Sequence, residues 1–253
     1  MKDVRIVPVR RVELWCEPRT WPWAKANRTA IGAHLAKVRK NQPALFNGLV
    51  YLLHEWRIDD GIFHGSMFET DVASFLAWRD DGFSDESTTY CFGVGALCSS
   101  DGTYFLGQQA TPKPETCSIN FAEAIPEPCD LRDEHTVEMS SCILRRLREQ
   151  TGLAPDDVRL FPGWHAAITP HSVALIKLVV VPDRAPAVVA RVRSFLDMQR
   201  PPELAGLVDV RESVDLLPAM PLIARAYLSD VALGRRKTIR PPVFGRAERT
   251  LVF

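Results

Sequence analysis

One strong helical segment lies between strand-like segments, and this order most constrains the fold of the 253-residue chain. Residues 136–150 give the clearest helical signal, which ends at Thr151-Gly152, where glycine can adopt the left-handed conformation that closes a helix. Before this helix, apolar segments on both sides of Asp101-Gly102 predict a β-hairpin. After the helix, the apolar run 172–181 predicts a strand. This mixed order predicts an α/β fold.

The composition is typical of a globular protein with a substantial core. Hydrophobic residues make up 46% of the chain and charged residues 25%, and 31 basic side chains balance 31 acidic ones. No net charge therefore draws the whole molecule to nucleic acid or to an anionic membrane. No apolar run reaches the roughly 18 residues of a membrane helix, and the first residues lack the apolar centre of a signal peptide. We expect a cytoplasmic protein without a membrane partner.

We divide the chain into three regions. Residues 1–86 are expected to form a smaller α/β region, with a helix near residues 25–40 and a hairpin made of residues 49–53 and 61–63. A capping box at Ser66 and Glu69 predicts a second helix that begins there and ends near Arg79. Residues 87–233 are expected to form the main domain, with further helices near residues 187–200 and 221–233.

Residues 234–253 form a basic tail in this division. They carry six Lys or Arg side chains against one acidic side chain, Glu248, with Phe244 and Phe253 interleaved. A mobile terminus is the simpler interpretation of such a segment. Contact with nucleic acid or with an acidic partner is the alternative.

The helical segment also carries a motif. Residues 145–153 read Arg-Arg-Leu-Arg-Glu-Gln-Thr-Gly-Leu, which resembles the signature helix of the Nudix hydrolases, Arg-Glu-apolar-any-Glu-Glu-any-Gly-apolar. The wider chain resembles a bacterial group of Nudix proteins related to the nucleotide-sugar hydrolases, through short motifs within residues 46–228. These motifs are Phe46-Asn47-Gly48, Phe68-Glu69-Thr70-Asp71, Ala77-Trp78-Arg79-Asp80, Ser100-Asp101-Gly102, Pro126-Glu127-Pro128 and Pro218-Ala219-Met220-Pro221.

The resemblance implies a Nudix-like α/β/α sandwich that cleaves a phosphoanhydride in a nucleoside diphosphate linked to another group. Mg²⁺ or Mn²⁺ would be the cofactor and a nucleotide-type small molecule the partner. The family pattern holds its cations with three carboxylates one helical turn apart, at the positions of Arg146, Glu149 and Gln150. Of these positions only Glu149 keeps a metal-binding carboxylate, and the pattern's glycine, which we align with Ala124, is also missing.

Because divalent binding depends on the charge of the ligands, these replacements predict that metal-dependent hydrolysis is weakened or lost. They leave three interpretations of the site open. In the first, hydrolysis survives with a rearranged acidic set. Glu138 and Glu149, which share one stripe of the helix with Arg145, would be its catalytic members. A third acid would come from four candidates, Glu127, Asp130, Asp133 and Glu134.

In the second interpretation the chain is a nucleotide- or nucleotide-sugar-binding module with a regulatory or scaffold role and no turnover. Arg145 and Arg146 would then bind phosphate without a metal, and Arg146 would pair with Glu149 three residues along the helix. In the third, the arginines are simply a solvated helix face.

Other candidate motifs favour structural roles. Gly93-x-Gly95 lacks the third glycine of a dinucleotide-binding turn and lies in a predicted strand. The histidines show no metal-ligand spacing, and the six cysteines include no Cys-x-x-Cys pair, so reduced structural thiols are expected. Trp15, Trp21 and Trp23 are expected to pack against the main domain, with base or sugar stacking as the alternative.

Overall fold

The computed structural model describes residues 4–43, 45–111 and 117–233. Its helices are α1 Pro22–Ala26, α2 Arg28–Asn41, α3 Val72–Asp80, α4 Met139–Thr151, α5 Ala185–Met198 and α6 Leu222–Tyr227, and the last is followed by a π-helical segment, Leu228–Leu233. Its strands are β1 Arg5–Val9, β2 Arg11–Cys16, β3 Leu49–Asp59, β4 Ile62–Asp71, β5 Tyr90–Ser99, β6 Tyr104–Gln109, β7 Ile119–Asn120, β8 Ala122–Ala124, β9 Leu131–Arg132, β10 Thr136–Val137, β11 Arg159–Leu160, β12 Trp164–Ile168, β13 Ser172–Val181 and β14 Leu204–Val210.

The strands form two sheets. The larger sheet has the order β1-β12-β13-β5-β6-β14, and the short strands β8, β7 and β11 pair with β5, β6 and β13. Its central pair, β5 and β13, is parallel over ten residue pairs, whereas the other pairs are antiparallel. The smaller sheet has the order β3-β4-β2-β10-β9.

The larger sheet lies between helical layers, as the alternation of side chains along β5 shows. Cys91 and Leu97 point to a core shared with α4 and α5, whereas Phe92 and Val94 point to a second core shared with α6. Successive strand residues face opposite sides of a sheet, so both faces are covered. The structure therefore confirms the predicted α/β class and the α/β/α layering.

The smaller sheet is also covered on both faces. Leu14 and Leu53 pack into the core beneath α4, while Leu52 and Phe68 pack against α1–α3. Trp21 lies in this second group, with its ring centroid 5.6 Å from that of Trp78. Trp21 is therefore buried among aromatic residues of the first region, beside Phe68 and Trp78, whereas packing against the main domain was expected.

Several predicted elements agree with the structure. The hairpin of β3 and β4, the hairpin of β5 and β6, strand β13 and helices α2, α4 and α5 all occur where the pattern places them, with ends that differ by a few residues. The predicted helix near residues 221–233 is shorter, because α6 ends at Tyr227 and the π-helical segment continues it.

The predicted start of the second helix is wrong. Ser66 and Glu69 lie in β4, which pairs with β3 on one side and with β2 on the other. The helix α3 begins only at Val72, where the Asp71 side chain accepts a hydrogen bond from the backbone N–H of Ser74 at 2.7 Å. Hydrogen bonding of β4 to a strand on each edge outweighs the local capping pattern, because it satisfies more backbone N–H and C=O groups than the start of a helix would.

The proposed division at residue 86 stays a prediction. Strand β1 pairs with β12 over five residue pairs, so the first residues complete the larger sheet. The basic tail, residues 234–253, lies outside the described residues. No helix in the described part of the chain is long and apolar enough to cross a membrane.

Candidate functional site

Helix α4 is held close to the larger sheet by two glycines of β5. Met139, Ile143 and Leu147 form its buried stripe. A Cβ atom at Gly93 would lie 2.7 Å from the Met139 sulfur, and one at Gly95 would lie 2.7 Å from a Leu147 methyl carbon. The two glycines therefore have the structural role that was expected, since they leave room for the helix.

The C-terminal end of α4 is closed as the sequence predicts. Gly152 has a φ of 71° in the left-handed region, and its N–H donates to the Arg148 carbonyl. Glycine adopts this conformation without strain. A Cβ atom at this position would also lie 2.5 Å from the Phe195 ring.

Arg145 is the centre of an acidic cluster. Its Nε and Nη2 atoms donate to the carboxylate of Asp130 at 3.2 and 2.7 Å, and Nη1 lies 3.3 Å from both Glu127 and Glu149. The Asp130 side chain is only 3% exposed. Hydrogen bonding to Asp130 raises the pKa of Arg145 above its ordinary range, so the guanidinium stays charged. Three of the acids named from the sequence therefore converge, and the group at their centre is an arginine.

The three positions of the family's metal ligands form a second network. The Arg146 guanidinium lies 3.4 Å from Glu149 and is also paired with both carboxylate oxygens of Glu203, one of them at 3.1 Å. The Gln150 side-chain amide donates to the same Glu203 carboxylate at 2.8 Å. Glu149 thus contacts two guanidinium groups, and the expected pair of Arg146 with Glu149 is present.

Glu138 lies at the other end of α4, where it is the N-cap residue. Its carboxylate is 2.8 Å from Arg132. Glu149 is eleven positions further along the chain, and at about 1.5 Å per residue the two are roughly 16 Å apart along the helix axis. One ion cannot contact both. Asp133 also pairs with Arg132, at 3.4 Å.

The residues present do not fit the divalent ion that the resemblance implies. Such an ion takes several oxygen ligands that carry negative charge. The only carboxylate at the three positions is held by two cations, and Arg146 brings a positive charge to the same place. Among residues 4–43, 45–111 and 117–233, no group of three or more His, Cys, Asp or Glu side chains is arranged to hold a metal ion.

An open groove of about 760 Å³ lies beside α4, next to the Arg145 cluster. Its lining residues are Ser141, Leu144, Arg145, Arg148, Glu149, Gly152, Pro155 and Phe195. Arg148 is exposed and has no ion pair within the described part of the chain. The groove therefore combines an available guanidinium with an apolar wall.

Sequence reasoning missed Glu203 and Gln199. Glu203 is 57 residues from Arg146, and the Gln199 side chain, which donates to the Glu149 carbonyl at 3.1 Å, is 50 residues from its partner. Neither residue belongs to a motif. Only the return of the chain from α5 to β14 brings them to α4.

Comparisons with known proteins give distant structural likeness only. No family model matches the chain, and no curated protein matches it. One similar solved structure is DR0079 from Deinococcus radiodurans, with a TM-score of 0.31 and 11% identity over 48% of this chain and 66% of that one. Another is a variant of the Bacillus subtilis pyrophosphohydrolase BsRppH, with a TM-score of 0.34 and 13% identity over 72% of this chain and 89% of that one. Structural likeness at this level does not allow any activity to be assigned to this chain.

Proposed function

We propose that this chain is a Nudix-like protein that binds a nucleotide-type small molecule beside α4 and lacks ordinary metal-dependent hydrolysis. The observation that carries the proposal is the network at the three metal-ligand positions. There Arg146 pairs with both Glu149 and Glu203, and Gln150 donates to the same Glu203 carboxylate.

Charge is the physical reason for the loss of hydrolysis. A divalent cation at this place would have to displace two guanidinium groups from Glu149 and would then lie beside Arg146. Like charges a few ångströms apart repel, and the single carboxylate offers little to offset that repulsion. The acidic set around Arg145 has the same difficulty, because a guanidinium with a raised pKa lies at its centre.

The groove beside α4 supports binding of a phosphorylated ligand. Arg148 can donate to a phosphate through two parallel N–H groups, a geometry for which guanidinium is well suited. Phe195 and Leu144 offer apolar surface for a base or a sugar face. A nucleotide combines these two features, an anionic end and a flat, weakly polar end.

Phosphohydrolysis and ligand stabilisation should be measured on the same panel of nucleotide sugars, dinucleotides and nucleoside triphosphates. We expect no release of nucleoside monophosphate with Mg²⁺ or Mn²⁺, and a rise in melting temperature with at least one ligand in the presence of a chelator. Arg148→Gln should weaken that stabilisation, whereas Arg193→Gln, a change on α5 outside the residues that line the groove, should leave it unchanged.

Glu149→Gln is the control for catalysis. Turnover that requires both the metal and Glu149 would establish a working hydrolase with rearranged ligands and would contradict the proposal. The absence of both turnover and stabilisation across the panel would contradict the binding part.

A further inference from the structure

Three N–H donors of α4 converge on one carboxylate. Two guanidinium nitrogens of Arg146 and the amide nitrogen of Gln150 all donate to Glu203. Convergent donors of this kind can bind an anion, and both phosphate and carboxylate can accept two parallel hydrogen bonds from one guanidinium group. In this structure the anion is part of the chain itself.

The backbone around Glu203 is fixed without help from its side chain. The Glu203 carbonyl accepts a hydrogen bond from the Ala110 N–H at 3.0 Å. The Glu203 N–H donates to the side-chain oxygen of Gln199 at 3.3 Å. The Glu203 side chain remains 40% exposed. The segment 199–203 thus presents a carboxylate to α4, and water can reach the contact.

We propose that Arg146 and Gln150 form an anion-binding site for a phosphate group, and that Glu203 occupies this site as an internal competitor when no ligand is bound. The inference rests on the proposed function and adds a second anion site to it, since Arg146 and Gln150 are not among the residues that line the groove beside Arg148. A phosphate group that enters the site displaces the Glu203 carboxylate, which moves into solvent. Because the contact is partly exposed, the competition is weak enough for a ligand to overcome.

The test is the affinity of the full chain for inorganic pyrophosphate, measured by isothermal titration calorimetry in the presence of a chelator. Glu203→Ala removes the competitor, and we expect binding about fivefold tighter than in the unchanged protein, the effect of losing one partly exposed ion pair. Glu86→Ala is the matched control, an exposed glutamate without an ion pair in the described residues, and it should bind as the unchanged protein does.

The double variant Glu203→Ala with Arg146→Ala should lose the gain. Equal affinity in Glu203→Ala and Glu86→Ala, or a gain that persists without Arg146, would overturn the inference. Glu203→Gln, which keeps the shape of the side chain and removes its charge, should shift affinity in the same direction as Glu203→Ala. Failure of the proposed function is a separate result, namely turnover that depends on metal and on Glu149.

Discussion

Arg145 joins α4 to a turn at residues 127–130, which precedes β9 and β10 in the chain. Its side chain is 24% exposed and pairs with Asp130, whose side chain is 3% exposed. Asp130 also accepts the N–H of Glu127 at 3.0 Å and so closes the turn. Loss of the guanidinium would leave a buried carboxylate without its cation, and such uncompensated charges are costly.

We therefore expect Arg145→Met to lower the free energy of unfolding by about 2–3 kcal/mol, less than for a fully buried pair because Arg145 is partly exposed. Arg148→Met, a change at an exposed arginine without an ion pair, should stay within about 0.5 kcal/mol. Urea denaturation of both variants measures the difference. Equal stability of the two would mean that Arg145 is only a solvated side chain.

The residues of this site could be predicted from the sequence only where they lie on one helix. The spacing of Arg146 and Glu149 is that of neighbours on a helix, and the pair is present. The sequence could name Glu127 and Asp130 as candidate acids near the helix, but it could not show that both pair with Arg145. Glu203 could not be found, because its contact depends on the path of the whole chain between α5 and β14.

Helix α4 depends on two positions without side chains, Gly93 and Gly95, in strand β5 beneath it. Gly95 faces Leu147 and Ile143, which would lie 2.7 and 3.0 Å from an added Cβ atom. Both side chains are buried, so neither can move freely away. An added methyl group would push the helix from the sheet or force poor rotamers.

Gly95→Ala is accordingly expected to destabilise the protein by about 1–2 kcal/mol. Gly206→Ala is the matched control, because Gly206 also lies in a strand and an added Cβ atom would meet nothing within 4 Å. Thermal and urea unfolding should separate the two variants. If both lose the same stability, the close packing of α4 on β5 is not what requires glycine.

The elements that the sequence predicts well are those whose signals are local and uncontested. Helix α4 combines a periodic apolar stripe with a C-terminal glycine, and strand β13 is a continuous apolar run. The capping pattern at Ser66 was equally local, yet the segment became a strand because β2 and β3 lie on both sides of it. A local helix-start signal is overridden where the segment can pair with neighbouring strands.

The two regions of the chain share one hydrophobic core. Side chains from the first 86 residues contribute to the core beneath α4, where Ile143 and Leu147 are buried; these side chains are Val9, Leu14, Tyr51, Leu53, Phe63 and Met67. Each such side chain contributes about 1.5–3 kcal/mol when fully buried. Six of them together contribute roughly 9 kcal/mol or more by that estimate, which is comparable with the whole stability of a typical domain.

A fragment that begins at residue 87 should therefore fail to fold cooperatively. It would lose β1, which covers one edge of β12 over five residue pairs, and it would expose the apolar side of α4 and β5 to water. The full chain should unfold in one transition with the same midpoint by far-ultraviolet circular dichroism and by tryptophan fluorescence. A cooperative transition in the fragment, or two separate transitions in the full chain, would instead make residue 86 the boundary between independent domains.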